Sequence, residues 1–367
     1  MFDKLFSRLE RGFSNNFQAS PRAHHCVQEV SSLVAAGDWR NAYETLAIEN
    51  RQNPDQRLER AMIDILLQAR DAGGAVEISS PGDSPLPFKG SSETGVIPEV
   101  AVNELSPDKL REAIHDHGYL LVRGLITAAS SGELRNTIDL SMRARMEIAA
   151  AKASKLANGP WYYESPYFPG NHASLSTQVS KSSHGPTGSI MVADSPRGAF
   201  QVLEHYRALK MNTLLAEYFG EPAVIAARKW VFRVVSPGKM GGGWHQDGQF
   251  MGAGARALNM WVALTACGDT TSAPGIALIP KRIHEILEYG TRGAKINWVV
   301  GGELVEELAA EVPVVKPYFA AGDALFFDHL SLHRTGHDKD QDQPRHALES
   351  WFYAASGNAG NFVMPLY

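Results

Sequence analysis

Apolar positions follow two regimes along this chain. Up to about residue 78 they recur at helical spacing. Residues 27–34 form one amphipathic stretch, Gly37-Asp38 breaks it, residues 42–46 open a second, and residues 58–67 form a third. The segment 79–87, rich in Ser, Pro and Gly, reads as a linker. Ser106-Pro107 then has the form of a helix cap followed by a first helical residue, ahead of a helix over 110–117. Residues 118–124 read as a strand, 130–156 as a long helix, and 200–218 as another helix closed by Gly220.

From Ala223 onward the pattern changes to short apolar runs separated by Gly- and Pro-bearing turns. Residues 230–235, 259–264, 324–327 and 344–352 read as strands. Many short strands in series predict a double-sheet jelly roll, mainly β with flanking helices. The expected organisation is a helical subdomain over 1–78, a linker over 79–94 and a double-stranded β-helix domain over 95–367. In the first part, the spacing of Gly37, Ala42 and Pro54 resembles one tetratricopeptide unit, without a second copy.

Composition narrows the function classes. With 35 basic and 40 acidic residues the formal charge is −5, which gives no footprint for a nucleic-acid partner. No apolar run is long enough for an integral membrane segment. Phe2, Leu5, Phe6, Leu9 and Phe13 share one helical face, which suits docking on the protein's own helices, a partner subunit or a membrane surface. Cys26 and Cys267 are the only cysteines, as in a reduced cytoplasmic protein.

The chemistry concentrates in Gly241-Gly242-Gly243-Trp244-His245-Gln246-Asp247. His245 and Asp247 are two apart, so on an extended segment an imidazole and a carboxylate project from one face. A third donor is available at His333, beyond the Gly322-Asp323 turn and the apolar run 324–327. Two histidines and one carboxylate make the facial triad of non-haem Fe(II) oxygenases, which leaves coordination positions open. Arg345 lies twelve residues past His333. A guanidinium there suits the far carboxylate of a diacid. His329, His333 and His337, four apart, would instead form a zinc cluster if that segment were helical.

The ordered set His245-x-Asp247, His333 and Arg345 resembles the Fe(II)/2-oxoglutarate-dependent oxygenases, specifically their phytanoyl-CoA dioxygenase-like branch. Residues 259–264, 273–280 and the Gly322-Asp323 turn are similar to that branch in the same order. Lys281-Arg282-Ile283-His284 stands where the family has Gly-Ser-His, and Arg345-His346-Ala347 where it often has Arg-x-Ser. The resemblance implies Fe(II) on His245, Asp247 and His333, with 2-oxoglutarate and O2 as cosubstrates. It implies Arg345 on the distal carboxylate of 2-oxoglutarate, with Thr335, Arg233 and Trp261 as further candidates. Asp247 occupies the position that related halogenases give to a small residue, so the resemblance implies hydroxylation or another oxidation rather than halogenation. Gln249, Phe250 and Met251 follow the metal pair directly, and Trp161, Tyr163 and His184 lie in an aromatic, turn-rich region; all six are candidates to line the site of a small-molecule substrate. His24 and His25 read as solvated, and His205, His284 and His346 as ordinary surface or helix residues. A competing reading is a non-catalytic metal-binding scaffold of the same fold that uses its N-terminal helices for partner binding; in either reading those helices could instead support a homo-oligomer.

Overall fold

The protein is described from a computed structural model, which covers residues 21–71, 95–151, 159–163, 178–237, 242–357 and 363–366. Its main sheet contains β1 (Glu99–Ala101), β2 (Tyr119–Arg123), β3 (Val179–Ser182), β4 (Gly185–Met191), β5 (Ala223–Val235), β6 (Ala257–Ala263), β8 (Ala324–Asp328) and β10 (Arg345–Ala354). Their spatial order is β1-β2-β8-β6-β10-β5-β4-β3, and β11 (Val363–Pro365) also pairs with β5. Only β1 and β2 run parallel within it. A second sheet pairs β7 (Gly275–Leu278) with β9 (His333–Gly336). Single antiparallel bridges widen it, from His333 to His245 on one side and from Leu278 to Val315 on the other. Two facing sheets of this kind form the double-stranded β-helix.

Successive side chains of a strand leave opposite faces. Along β6, Ala257, Trp261 and Ala263 enter the barrel interior, with Leu325, Phe327, Ala347, Trp351 and Tyr353 from the neighbouring strands and Ile276 and Leu278 from the second sheet. The alternate residues Leu258, Met260 and Val262 join Phe326, Leu348 and Phe352 beneath the helices. Burial on both faces explains why these strands read as unbroken apolar runs. Behind the second sheet, Trp244, Ala277, Ile279 and Leu332 pack against Val305.

The helices are α1 (Pro21–Ala35), α2 (Trp39–Gln52), α3 (Gln56–Asp71), α4 (Pro107–His117), α5 (Ala128–Ala149), α6 (Pro196–Ala208), α7 (Met211–Phe219), α8 (Gly248–Met251) and α9 (Gly302–Glu311). As expected, Ser106 caps α4, its side chain accepting from the Lys109 amide at 3.2 Å. Two helical expectations need correction. The stretch 200–218 is two helices, broken where Lys210 adopts φ 52°. The helix predicted over 130–156 ends at Ala149, and residues 152–158 fall outside the described set.

Helices α1 to α3 share one continuous apolar core with the outer face of the main sheet, through Trp39, Leu46, Met62, Ile65 and Leu66. Polar ties cross the same boundary. Arg51 donates to both carboxylate oxygens of Glu204 at 2.7 and 2.8 Å, and the buried Glu59 pairs with Arg197. The face formed by Phe2, Leu5, Phe6, Leu9 and Phe13, and the linker 79–94, lie outside the described residues. Among the described residues, no helix is long and apolar enough to cross a membrane.

The Gly322-Asp323 turn launches β8. Gly322 has φ +102°, and a Cβ there would stand 2.1 Å from the Ile126 carbonyl oxygen, so only glycine fits. The buried Asp323 carboxylate accepts from the Gly124 and Ala320 amides, each at 2.9 Å, and from Arg123 at 2.7 Å. A desolvated carboxylate is thus fully hydrogen-bonded, as burial demands.

Candidate metal centre

The second sheet brings His245 and His333 together, and the turn that follows His245 adds Asp247. One donor atom from each lies within 4.8 Å of the others. His245 and His333 are cross-strand neighbours whose backbones exchange both hydrogen bonds, at 3.0 and 3.1 Å. Their rings stand 4.4 Å apart, and His333 Nε2 is 3.8 Å from Asp247 Oδ2.

The ring hydrogen bonds select the donor atoms. His245 Nδ1 lies 2.9 Å from the Gly243 carbonyl oxygen and His333 Nδ1 lies 3.0 Å from that of Ser331. A carbonyl only accepts, so each Nδ1 carries a proton, which leaves Nε2 as the atom each ring can offer to a metal. Burial, reinforced by neighbouring His333, lowers His245 to a pKa of about 4, so it is neutral at physiological pH. Burial alone would raise Asp247, but Lys229 and the two imidazoles outweigh it and hold the carboxyl far below the usual range. Two imidazoles and one carboxylate, pre-oriented by carbonyl contacts, suit a divalent first-row cation with open positions. These residues therefore fit the metal that the sequence resemblance implies.

Arg345 opens β10 and is 2% exposed. Its Nη1 donates to the Gly275 carbonyl at 2.9 Å, while Nε is enclosed without a partner. The guanidinium sits 5.3 Å from the Trp261 ring centre. Burial, followed by repulsion from nearby Arg233, lowers its pKa to about 10, so it remains charged. Thr335 is two residues beyond His333 on β9, on the same strand face.

Arg233 turns inward, where its Nε and Nη2 donate to Glu349 Oε2 at 3.1 and 2.8 Å. Phe250 and Met251, on the turn after Asp247, stay close to the centre: Phe250 is 5.7 Å from the Lys229 ammonium, and Met251 packs on the interior cluster. Both amide atoms of Gln249 are enclosed without a partner.

Three other candidates are not brought to the metal cluster. Trp161 and Tyr163 lie on the helical side, stacked under Arg197 and Arg60. His184 lines a separate cavity of about 500 Å³ with Arg135, Asp139, Thr265 and His346. His346 itself is a buried β10 residue bonded to Asp139 at 2.9 Å, which corrects its reading as a surface or helix residue. The helical zinc cluster is also corrected. His333 begins a strand, and His329 turns its Nε2 to the Ala253 carbonyl at 2.9 Å.

Sequence reasoning missed Lys229, Asn259, Trp298 and Glu349. Lys229 Nζ donates to Asp247 Oδ1 at 3.0 Å. Both amide atoms of the fully buried Asn259 and the indole Nε1 of its cross-strand partner Trp351 are enclosed and unpartnered. Trp298 packs edge-on against His245 at 5.7 Å. Alternation along β5 could have paired Lys229 with Arg233, since Trp230, Phe232 and Val234 take the opposite face. Trp298 had no comparable signal, because it belongs to an irregular loop.

A search of curated protein sequences gives no match. Among solved structures, the non-heme α-ketoglutarate-dependent epimerase SnoN from nogalamycin biosynthesis is 18% identical, with a TM-score of 0.44 over 68% of this chain and 83% of that one. EctD from S. alaskensis with bound Fe is also 18% identical, with a TM-score of 0.47 over 69% of this chain and 79% of that one. Residues 114–347, more than half of the chain, match the family profile described as phytanoyl-CoA dioxygenase (PhyH). The chain therefore belongs to the phytanoyl-CoA dioxygenase family, whose members are oxygenase-type enzymes dependent on Fe(II) and 2-oxoglutarate.

Proposed function

We propose that this protein is a non-haem Fe(II)/2-oxoglutarate dioxygenase that hydroxylates a C–H bond of a small or medium-sized organic molecule. The balanced reaction takes substrate, 2-oxoglutarate and O2 to hydroxylated substrate, succinate and CO2. Bound iron supplies the oxygen activation; the protein supplies orientation, charge and shelter from water. His245 and His333 would hold the metal through Nε2, and Asp247 through the carboxylate oxygen that Lys229 leaves free. The carbonyls of Gly243 and Ser331 fix the two imidazole tautomers from behind. Arg345 takes the distal carboxylate of 2-oxoglutarate through Nε and its outer amino group, since Nη1 is already held by Gly275. Trp261 braces the guanidinium, and Thr335 offers a hydroxyl to the same carboxylate. Residues 95–367 form the oxygenase domain in this reading, with 1–78 as a helical subdomain.

The observation that carries this reading is the convergence of three donor atoms, two from bridged strand positions and one from the turn between them and α8, within 4.8 Å. An unpartnered guanidinium nitrogen on the same inner wall supports it. The test is anaerobic addition of Fe(II) and 2-oxoglutarate. A weak visible charge-transfer band should form, and His245→Ala should abolish it. A folded wild-type protein without the band refutes the proposal.

A further inference from the structure

Around the metal cluster, among the described residues, five side chains carry formal charge: Lys229, Arg233, Asp247, Arg345 and Glu349. Arg233 is matched by Glu349 at 2.8 Å and Lys229 by Asp247 at 3.0 Å, while Arg345 meets only backbone carbonyls and the Trp261 ring. Loading with a divalent cation and a dicarboxylate adds two charges of each sign. In that loaded site Arg345 would match the far carboxylate, and Asp247 with the near carboxylate would balance the charge of the metal. Lys229 is then the one cation of the five with no opposite charge of its own. An uncompensated charge in a partly desolvated site is costly, so the pattern favours an anionic occupant.

The backbone aims Lys229 at this point. Ile225 pairs with Phe352 and Trp230 with Ser350, so four residues of β5, 226–229, oppose the single residue Trp351 of β10. Such a bulge re-directs a side chain, often beside an active site. The Lys229 side chain is 32% exposed, so it is reachable from outside. Its ammonium stands 5.7 Å from the ring centres of both Phe250 and Trp351. Phe250 is 58% exposed and lies 6.1 Å from Trp298, which in turn touches His245. The cation is therefore set among aromatic surfaces at the mouth of the metal centre, with one N–H on Asp247 and two remaining.

We infer that Lys229 docks an anionic group of the substrate, a carboxylate or comparable monoanion, whose apolar or aromatic body lies against Phe250 and Trp298. The inference rests on the iron/2-oxoglutarate reading and adds the substrate class to it: small organic acids. Asp247 keeps its contact with Lys229, so one ammonium serves both a ligand carboxylate and the incoming anion.

The test uses the full chain loaded anaerobically with Fe(II) and 2-oxoglutarate, with benzoate as probe and benzamide as its uncharged counterpart. The charge-transfer band reports loading, and isothermal titration reports probe binding. Benzoate should bind at least about tenfold more tightly than benzamide. Lys229→Met should keep the band and lose that preference, and Lys229→Arg should restore it. Equal binding of the two probes, no benzoate binding at millimolar concentration, or a Lys229→Met protein that retains the preference overturns the inference. Loss of the band in Lys229→Met also overturns it, because the lysine would then act only on Asp247. A wild-type band that fails to form before any probe is added refutes the iron reading itself, so the two failures are separable.

Discussion

Arg345→Lys isolates what a planar guanidinium contributes beyond charge. The wild-type side chain is 2% exposed and already spends Nη1 on the Gly275 carbonyl at 2.9 Å. Nε and the outer amino group remain to meet a carboxylate as two parallel donors. Lysine keeps the charge but offers a single compact donor on a flexible stem. One charge-assisted hydrogen bond contributes about 1.5–3 kcal/mol, so the Kd for 2-oxoglutarate should rise roughly 10- to 150-fold. Titrating the anaerobic charge-transfer band measures this directly. Thermal denaturation with Mn(II) provides an independent readout. At 2-oxoglutarate one hundredfold above the wild-type Kd, ligand linkage adds about 2.7 kcal/mol, and a thirtyfold weaker variant would keep only about 0.9 kcal/mol. The ligand-induced rise in Tm should therefore shrink by a few degrees. A Lys variant that titrates within twofold of wild type would refute the assignment of the distal carboxylate to Arg345.

Three further outcomes follow from the same geometry. His245 has its folded pKa depressed from 6.5 to about 4, so between those values the unfolded chain binds the extra proton. Stability of the metal-free protein should consequently fall as pH drops from about 6.5 towards 4, by on the order of 3 kcal/mol from this group; urea unfolding of His245→Gln should lack that component. Gly322→Ala should destabilise the fold by at least about 2 kcal/mol, because φ +102° and the Ile126 carbonyl both oppose a Cβ; an unchanged Tm would contradict this. Protease cleavage confined to residues 79–94 should leave two fragments that co-elute on gel filtration, held by the shared core and the Glu59–Arg197 pair; separation without denaturant would show that these contacts do not bind the parts.

The jelly roll was legible because its central strands, buried on both faces, appear as apolar runs such as 324–327 with glycine turns between them. The ligand pair was legible because His245 and Asp247 are two apart, and His333 because it follows the Gly322-Asp323 turn. What escaped the sequence depends on three-dimensional placement. Lys229 was signalled only by its alternation with Arg233 and not by the bulge at 226–229, and Trp298 reaches His245 from an irregular loop. Arg233 could face either side until the register opposed it to Ala347 and brought it to Glu349. Aromatic richness was a poor guide, because Trp161 and Tyr163 serve cation stacking on the helical side. Likewise, continuous helical periodicity over 200–218 concealed the positive φ of Lys210.

The reciprocal backbone bonds between His245 and His333 tie the spacing of the two imidazoles to strand registry. A slip of one residue would point one ring away from the other and take one of the three donors out of the cluster. Metal binding would therefore favour that alignment over a slipped one, because only the native register gains the free energy of coordination. Slowed amide exchange at positions 245 and 333 on adding Mn(II) would register this coupling without any turnover.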